Sequence, residues 1–288
     1  MEIIRVPQIM QDTSGGHILY GRKIGFVPTM GALHEGHLSL VRRARQENDI
    51  VVASIFVNPV QFGPSEDFDK YPRDFETDAE KLRREEVDIL FVPDVLHLYP
   101  RGFSTYVQVE KLSERLCGVF RPGHFKGVTT VVTKLFHIVR PGRAYFGQKD
   151  YQQTIVIKRV VKDLDMDIDI VVCPTVRERD GLAMSSRNAY LKEREREAAS
   201  VIYKCLAEAA DLTKFGIINI GDIKGKMQER LLNEPLVAKI DYAGVYDPET
   251  LDEPPGISGN VLLAVAVRIG NTRLIDNMLV HVKGGRVT

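Results

Sequence analysis

Three features that would place a protein in a special class are scarce in this 288-residue sequence: cysteines, an excess of charge and long apolar runs. The three cysteines, Cys117, Cys173 and Cys205, are far apart and form no CxxC pair, which argues against a disulfide framework or a zinc knuckle. A reducing cytosol is the simplest setting for them, so we expect a cytoplasmic protein. The 39 basic and 39 acidic side chains cancel, so the overall charge favours neither nucleic acid nor a membrane as a partner.

No apolar run has the length of a signal peptide core or a membrane span. The first residues, MEIIRVPQIMQD, lack the apolar stretch of a signal peptide. The most apolar later run, VLLAVAV at 261–267, is far too short to cross a bilayer and is typical of a buried strand. What is present is an ordinary globular composition, 44% hydrophobic and 27% charged, in a chain long enough to bury a large core.

The first half of the sequence alternates strand-like and helix-like runs. Apolar, β-branched runs predict strands at 24–29, 49–58, 88–94, 143–147 and 167–175. Helical spacing of apolar residues predicts helices at 37–48, 74–87, 127–141 and 150–164. This alternation predicts a doubly wound parallel α/β sheet with helices on both faces, in which ligands bind at the loops after the strands. The loops with the richest chemistry are 29–37, 58–62, 147–153 and 175–179.

After about residue 175 the pattern changes. Amphipathic spacing predicts a long helix at 192–214 and a second at 220–233, followed by strands at 238–247, 261–270 and 272–280. Helices followed by a run of strands indicate an α+β arrangement. We therefore expect two domains: residues 1–175, and a smaller α+β C-terminal domain, residues 176–288.

The stretch TMGALHEGH, residues 29–37, lies where the first predicted strand turns into a helix. His34 and His37 are three residues apart, so their side chains share one helix face, and Gly36 between them lets a ligand approach the backbone. Free N–H groups and the helix dipole favour an anion there, and imidazoles can donate hydrogen bonds to it. A zinc site is disfavoured, because HEGH is not HExxH and a third ligand is missing. A pair of capping or packed histidines is the remaining alternative.

Two more loops can bind phosphate. In GQKD, residues 147–150, Lys149 can place a positive charge on a polyphosphate, Asp150 can orient it or cap the next helix, and Gln153 would face the same cleft. A solvated lysine–aspartate pair is the alternative. In AMSSRN, residues 183–188, hydroxyl, guanidinium and backbone N–H donors can wrap phosphates. A serine or asparagine that merely caps the next helix is the alternative there.

The combination is more specific than its parts. HEGH at 34–37 matches the HxGH signature of a nucleotidyltransferase superfamily that includes class I aminoacyl-tRNA synthetases and small adenylyltransferases. MSSR at 184–187 stands where those synthetases carry KMSKS but lacks both lysines, and Lys149 would supply the missing charge. Taken together, five blocks resemble the pantothenate synthetase (pantoate–β-alanine ligase) family: FVPTMGALHEGHLSL, SIFVNPVQFGPSEDFDKYPRD, FRPGHFKGV, YFGQKDYQQ and GLAMSSRN.

The resemblance implies a Rossmann-like fold of the HxGH nucleotidyltransferase type, in which residues 1–175 bind ATP and pantoate and residues 176–288 close over the active site. It also implies an ATP-dependent ligation in two steps. Pantoate's carboxylate would attack the α-phosphorus of ATP to give pantoyl adenylate and pyrophosphate. The amine of β-alanine would then attack the activated carbonyl to give pantothenate and AMP. The resemblance also implies Mg²⁺ with the triphosphate, small-molecule partners without nucleic acid or membrane, and a homodimer. The alternatives are another HxGH-type adenylyltransferase, a tRNA synthetase, or a nucleotide-binding module without turnover.

The same resemblance assigns roles to individual residues. It leaves open whether His37 transfers a proton or only stabilises charge. The residues it makes catalytic are His37, His34, Lys149, Ser185 and Arg187. The ATP-binding set it implies is Met30, Gly31, Ala32, Leu33, His34, Glu35, Gly36, His37, Gly147, Gln148, Lys149, Asp150, Val176, Met184, Ser185, Ser186 and Arg187. The residues it implies for pantoate and β-alanine are Gln61, Gln153 and Asn58.

Three further assignments have simpler alternatives. NPVQF, which contains Asn58, also fits an ordinary turn after a strand. Magnesium would be held mostly by phosphates and water, with Asp78 or Glu76 as a protein ligand, although such helix carboxylates are usually solvated. Arg121 and His124 of RPGHFKG would form a flap over the site, and a rigid loop is equally compatible.

Overall fold

The structure, a computed structural model, describes residues 1–64, 66–214 and 219–282. The chain divides into two compact units. The first comprises Met1–Glu114, Arg121–Gln148 and Gln152–Pro174. The second comprises Arg115–Phe120, Lys149–Tyr151 and the chain from Thr175 onward.

Helices and strands alternate through the first unit, and helices precede strands in the second. The strands are β1 (Glu2–Ile4), β2 (Ile24–Thr29), β3 (Ile50–Ile55), β4 (Ile89–Phe91), β5 (Arg143–Gly147), β6 (Asp169–Cys173), β7 (Val237–Tyr246), β8 (Gly259–Ile269) and β9 (Thr272–Val282). The helices are α1 (Pro7–Leu19), α2 (Glu35–Glu47), α3 (Phe75–Arg84), α4 (Val95–Leu98), α5 (Cys117–Phe120), α6 (His124–Val139), α7 (Tyr151–Asp163), α8 (Glu193–Ala198), α9 (Val201–Lys214) and α10 (Ile220–Leu232).

The first unit contains a six-stranded parallel sheet in the order β1-β4-β3-β2-β5-β6. The predicted doubly wound parallel α/β sheet is therefore confirmed. From β2 the chain builds β3 and β4 on one side and later adds β5 and β6 on the other, so the winding reverses between β2 and β5. These two strands are paired through Gly25↔Arg143 and Phe26↔Ala144. Ligands of such sheets bind at this reversal, outside the carboxyl ends of the strands.

The burial of their side chains explains why the apolar segments form the central strands of the sheet. The central strand β3 carries Val51, Val52 and Ala53, all with no exposed surface, as expected for a strand covered on both faces. Helix α2 turns Leu40, Val41 and Ala44 toward the same core. Because these side chains are covered on both faces of β3, the carboxyl ends of the strands are where a ligand of this sheet is expected.

The second unit is built around the antiparallel sheet β7-β8-β9. Helices α9 and α10 cover it with an apolar layer that includes Leu206 and Leu231, which pack in one cluster with Val265 and Val267 of β8. This arrangement confirms the predicted smaller α+β region. Throughout the chain that the structure describes, no helix has the length and apolar character needed to cross a membrane.

Several sequence-based boundaries were wrong. The single helix predicted at 192–214 is two helices, because the helix is interrupted at Ser200. The N–H and the hydroxyl of Ser200 both donate to the Glu197 carbonyl, at 3.3 and 2.9 Å. Such local bonding of a serine competes with regular helix hydrogen bonds. The strand predicted at 49–58 ends at Ile55, because Asn58 caps a 3₁₀ turn, Pro59–Gln61. The strand β1 and the helix α1 were not predicted.

Candidate active site

The loop between β2 and α2 is held by a buried carboxylate. Asp78 on α3 accepts the backbone N–H of Ala32 at 2.7 Å and that of Leu33 at 2.8 Å, one on each oxygen. Gly31 and Ala32 both have positive φ, +80° and +50°, a region that costs free energy for a residue with a Cβ. The two hydrogen bonds compensate this strain at Ala32. Lys81 of the same helix adds a third contact, from its ammonium to the Leu33 carbonyl at 2.6 Å.

Asp78 therefore acts as a structural anchor of the loop. It is almost fully buried, and burial raises the pKa of its carboxyl above the ordinary value, although the two N–H groups and Lys81 oppose this. Each oxygen of the Asp78 carboxyl group accepts one backbone hydrogen bond. These contacts direct it to the backbone, whereas the resemblance implied a magnesium ligand. Within residues 1–64, 66–214 and 219–282, no group of three His, Cys, Asp or Glu side chains is arranged to hold a metal.

His34 and His37 form a capping box at the start of α2. The Nδ1 atom of His34 accepts the N–H of Gly36 at 3.2 Å, and the Nδ1 atom of His37 accepts the N–H of His34 at 3.3 Å. An Nδ1 atom that accepts cannot carry a hydrogen, so each neutral ring carries its hydrogen on Nε2. The rings lie against each other, with centroids 4.1 Å apart and planes tilted by 37°. The prediction that both side chains share one face is confirmed.

The capping geometry makes this helix start suitable for an anion. Both imidazoles use Nδ1 to satisfy backbone N–H groups and retain Nε2–H as a donor. The partial positive charge at the N-terminus of α2 adds to their effect. The capping role and the anion-binding role, which were alternatives in the sequence, are compatible because they use different ring nitrogens.

Gln61 and Asn58 lie together after β3. The Nδ2 group of Asn58 donates to the side-chain oxygen of Gln61 at 3.1 Å and to the Gly127 carbonyl at 3.1 Å. Its Oδ1 atom accepts the Tyr99 hydroxyl at 2.8 Å. The side-chain amide of Gln61 also donates to the sulfur of Met30 at 2.9 Å. Gln61 is thus linked to the loop after β2, and Asn58, which is buried, holds it there.

Lys149 belongs to the second unit, where its backbone is tied to β9. Its carbonyl accepts the side-chain amide of Asn277 at 2.9 Å, and its ammonium lies 3.6 Å from Asp150. The N–H of Asn277 donates to Asp276 at 2.7 Å. Asp276 in turn receives two hydrogen bonds from Arg177, at 2.6 and 3.0 Å.

The segment after β6 is a small hairpin that ends in a cap. The carbonyl oxygen of Val176 accepts the N–H of Met184 at 3.0 Å, so these two predicted ATP-binding residues are paired through their backbones. The hydroxyl of Ser185 accepts the N–H of Arg187 at 3.3 Å and caps a 3₁₀ turn, Ser186–Tyr190. A serine hydroxyl that accepts in this way still carries one hydrogen to donate. The cap therefore orients the Ser185 O–H.

The predicted site residues are divided between the two units. Gln153 is half-buried on α7. The first unit holds Met30–His37, Asn58, Gln61, Gly147, Gln148 and Gln153; the second holds Lys149, Asp150, Val176 and Met184–Arg187. Gly147, at the end of β5, and the loop after β2 flank the reversal of the sheet.

Sequence reasoning missed the buried residues that support these loops. Arg177, Asp276 and Asn277 were not singled out. The signal that was available is chemical, because an aspartate and an asparagine inside an otherwise apolar strand require partners when buried. No sequence pattern identifies those partners, since Arg177 and Asp276 are far apart in the chain.

Comparisons with known proteins agree with this geometry. The family model described as pantoate-beta-alanine ligase matches residues 2–279. The pantothenate synthetase of Thermodesulfovibrio yellowstonii is 61% identical over 281 residues, which are 98% of this chain and 100% of that protein. That of Thermosipho melanesiensis is 55% identical over 97% of this chain and 99% of its own length.

Solved structures agree as well. A crystal structure of pantothenate synthetase from Thermus thermophilus superposes with a TM-score of 0.92 at 45% identity, covering 98% of this chain and 100% of that one. The pantoate-beta-alanine ligase of Francisella tularensis, complexed with β-γ ATP and β-alanine, gives a TM-score of 0.80 at 37% identity over 97% of each chain.

Proposed function

The chain belongs to the pantoate–β-alanine ligase family, and we propose that it condenses (R)-pantoate with β-alanine to give pantothenate, AMP and pyrophosphate. The observation that carries the proposal is the family match over residues 2–279. The capped histidine pair at the switch point of the sheet supports it, since this is where an anionic nucleotide binds in such folds. The activity would make the protein an AMP-forming, carbon–nitrogen bond-forming ligase of pantothenate biosynthesis.

The chemistry requires an activated carboxyl group. A carboxylate oxygen of pantoate attacks the α-phosphorus of ATP, the bond to the β-phosphate oxygen breaks, and pyrophosphate leaves. The amine of β-alanine then attacks the carbonyl of pantoyl adenylate, and AMP leaves with the electron pair while the amine loses a proton. The first step needs alignment and stabilisation of charge more than covalent help from the protein.

His34 and His37 would stabilise the charge that develops on the phosphates. In both rings Nδ1 is engaged with the backbone, so Nε2 is the nitrogen that carries the hydrogen. Donors that are fixed before the reaction do not have to reorganise when the charge appears. We assign His37 an electrostatic role rather than a proton transfer. Met30–Leu33 would contact ATP along the loop that Asp78 holds.

Gln61 and Gln153 would bind pantoate. An amide donates and accepts at once, which suits a substrate with two hydroxyl groups and a carboxylate. The internal hydrogen bonds of Asn58 favour a supporting role for that residue, which reaches the substrate through Gln61. Gln61 would also lie near β-alanine.

The second unit would supply the remaining ATP contacts. Lys149 would place its ammonium on phosphate, with Asp150 orienting it or contacting the ribose. The Ser185 hydroxyl and the Arg187 guanidinium would donate to the phosphates, and the backbone around Val176 would read adenine. Gly147, Gln148, Met184 and Ser186 complete the proposed set.

The described residues do not fit a magnesium site built by the protein. Both oxygens of Asp78 accept backbone N–H groups. Among residues 1–64, 66–214 and 219–282, Glu76 belongs to no group of three or more His, Cys, Asp or Glu side chains that could hold a metal. Mg²⁺ usually keeps its waters and binds nucleotide phosphates. We propose that it enters with ATP and is held by phosphates and water.

The cysteines and the family resemblance bear on cellular location and assembly. We propose a cytoplasmic location, since Cys117, Cys173 and Cys205 are all free and buried, as suits a reducing compartment. We also propose a homodimer, from the family resemblance, and closure of the C-terminal domain, residues 176–288, over the substrates.

One assay tests the proposed function. Protein, ATP, Mg²⁺ and pantoate are mixed, β-alanine is added, and AMP and pantothenate are followed by chromatography and mass spectrometry. AMP that appears with pantothenate only after β-alanine is added supports the proposal. AMP that does not respond to β-alanine, or a dinucleotide-like product, rejects it; the second result would indicate another adenylyltransferase.

Two substitutions separate the capping role of His37 from its catalytic role. His37→Asn keeps an acceptor near the position of Nδ1 but removes Nε2–H, so kcat should fall about 100-fold or more with little change in melting temperature. His37→Gln carries an amide that can accept the His34 N–H, as glutamine does at this position of a capping box, or donate from near the position of Nε2, so it should retain more activity than His37→Asn with little change in melting temperature. The reverse order of activities would return His37 to a purely structural role.

A further inference from the structure

Three polar side chains of the first unit form a chain that ends on the backbone of Gln61. Glu66 accepts two hydrogen bonds from Arg121, from Nε at 2.6 Å and Nη2 at 2.7 Å. The Nη1 atom of Arg121 lies 2.9 Å from Nε2 of His124. The Nδ1 atom of His124 lies 2.8 Å from the carbonyl oxygen of Gln61. We call Glu66, Arg121 and His124 the Gln61 support.

In each hydrogen bond of the Gln61 support, the donor and the acceptor can be assigned in only one way. A carbonyl oxygen only accepts, so Nδ1 of His124 must carry the hydrogen. A guanidinium only donates, so Nε2 of His124 must accept. His124 is therefore neutral in this arrangement, and a second hydrogen on its ring would face the Arg121 cation. The direction of every hydrogen bond is fixed from Glu66 to Gln61.

The ion pair at the start of the support is suited to holding a fixed geometry. Arg121 and Glu66 have only 14% and 21% of their side chains exposed. Burial by itself would raise the pKa of Glu66, but the hydrogen bonds and charge of Arg121 and the N–H of Gly63 outweigh it and lower that pKa to about 2. The pair is thus ionised at neutral pH, and a bidentate pair restricts both side chains to one orientation.

A close backbone contact holds Gln61 from the other side. A Cβ atom on Gly127 of α6 would lie 2.6 Å from both Cα and N of Gln61, so only glycine permits this approach. Asn58 bridges the two segments, because its Nδ2 group donates to the Gln61 side chain and to the Gly127 carbonyl. Gln61 is therefore constrained at its backbone by His124 and Gly127, and at its amide by Asn58.

We propose that Glu66, Arg121 and His124 are positioning residues that orient the Gln61 amide toward its polyhydroxy-carboxylate substrate. The inference rests on the proposed function, in which Gln61 binds pantoate. An amide whose donor and acceptor ends must face different substrate groups loses its advantage when its backbone shifts by a fraction of an ångström. The segment RPGHFKG then acts as a rigid support rather than as a mobile flap.

The test compares two variants of His124. His124→Leu removes both ring nitrogens, whereas His124→Asn retains an amide N–H close to Nδ1 and can still donate to the Gln61 carbonyl. We expect His124→Leu to raise KM for pantoate about tenfold or more while KM for ATP and for β-alanine changes less than about twofold. His124→Asn should recover most of that loss. Arg84→Lys, which alters an exposed pair with Glu80, is the control.

A specificity readout separates positioning from general damage. Wild-type kcat/KM is compared for pantoate and for the two analogues that each lack one hydroxyl group. A well-placed amide penalises an analogue that leaves it unpaired, so the preference for pantoate over at least one analogue should shrink severalfold in His124→Leu and persist in His124→Asn. A purely structural role would leave this ratio unchanged.

The outcomes distinguish this inference from the proposed function. If the wild-type protein makes no pantothenate, the proposed function fails before any variant is compared. If it does, and His124→Leu changes all three KM values equally or none, the positioning role is rejected. Should His124→Leu not fold, Arg121→Lys replaces it: it keeps the charge but cannot bind Glu66 twice and reach His124, so KM for pantoate should still rise about fivefold. An unchanged value there also rejects the inference.

Discussion

Two buried aspartates hold candidate phosphate-binding segments, one in each unit, and they use different partners. Asp78 accepts two backbone N–H groups of the loop after β2. Asp276 accepts a bidentate guanidinium from Arg177 as well as the N–H of Asn277. Burial raises the pKa of both carboxyl groups, although these partners oppose the rise. The hydrogen-bond partners of Asp78 are thus neutral N–H groups, with the Lys81 charge nearby, whereas Asp276 is paired directly with a guanidinium.

The difference decides what remains when each carboxylate is removed. Loss of Asp276 leaves a guanidinium, only 20% exposed, without its counter-charge. Loss of Asp78 removes the hydrogen bonds that it accepts from the N–H groups of Ala32 and Leu33, and Ala32 is only half-buried. An unpaired buried charge costs more than an unpaired amide. Removing the Asp276 carboxylate should therefore lower the free energy of unfolding more than removing the Asp78 carboxylate.

The largest expected effect is that of Asp276→Ala. It should lower the free energy of unfolding by about 3–5 kcal/mol, because it leaves Arg177 buried without a carboxylate. Urea denaturation followed by circular dichroism measures the loss.

The control for this substitution removes both charges. The double variant Asp276→Leu with Arg177→Met should recover most of the stability, since replacing a whole buried pair by apolar residues is often neutral. A single-variant loss below about 1 kcal/mol, or a double variant as unstable as the single one, would contradict the idea that charge compensation matters here.

The next largest expected effect is the dependence of the unfolding free energy on acid pH. Glu66 is a useful comparison there, because its pKa is shifted in the opposite direction from those of Asp78 and Asp276. Its folded-state pKa of about 2 lies below the ordinary 4.5, so its stabilisation is complete above pH 4.5 and is lost as the pH falls toward 2. For Asp78 and Asp276, whose pKa values lie above the ordinary 3.8, the contribution is complete below pH 3.8 and is lost as the pH rises through the folded value.

The measurement is urea unfolding of the wild type and Glu66→Gln at a series of pH values. Between pH 4.5 and 2 the wild type should lose up to about 3 kcal/mol more than the variant, since that is the linkage of the lowered pKa. Asp78→Asn should instead steepen the acid loss just above pH 3.8, because it removes a group that takes up its proton more readily when folded. If the unfolding free energy falls with pH in the same way in all three proteins, the directions of both pKa shifts are contradicted.

The sheet could be predicted from the sequence because its signals are local. The apolar run at 24–29 and the short strand at 143–147 agree with β2 and β5 residue for residue. Helix ends were less accurate, since α2 begins at Glu35, where His34 caps it. A histidine that caps a helix was weighed as an alternative to a phosphate ligand, and only coordinates separate the roles of Nδ1 and Nε2.

Supporting contacts could not be predicted, because they join residues distant in sequence. Asp78 was named as a candidate magnesium ligand, yet its hydrogen-bond partners lie in a loop 45 residues earlier. The same holds for Arg121 with Glu66 and for Arg177 with Asp276. Resemblance identifies residues that contact substrate, and the buried residues behind them follow only from the three-dimensional packing.

The smallest expected effect is that of Asp78→Asn. The amide keeps one acceptor for the loop but turns N–H groups toward the other backbone N–H, so one hydrogen bond is lost and the donors oppose each other. The cost should be about 1–3 kcal/mol of unfolding free energy, with a fall of about tenfold in kcat/KM for ATP as the loop before His34 relaxes. Asp74→Asn, on the same helix, is the matched control, because asparagine caps a helix as well as aspartate does and Asp74 is an N-cap for Thr77. If both substitutions proved equally harmless, Asp78 would have no role in holding the loop. The two aspartates would then differ only in that Asp276 is paired with the charge of Arg177.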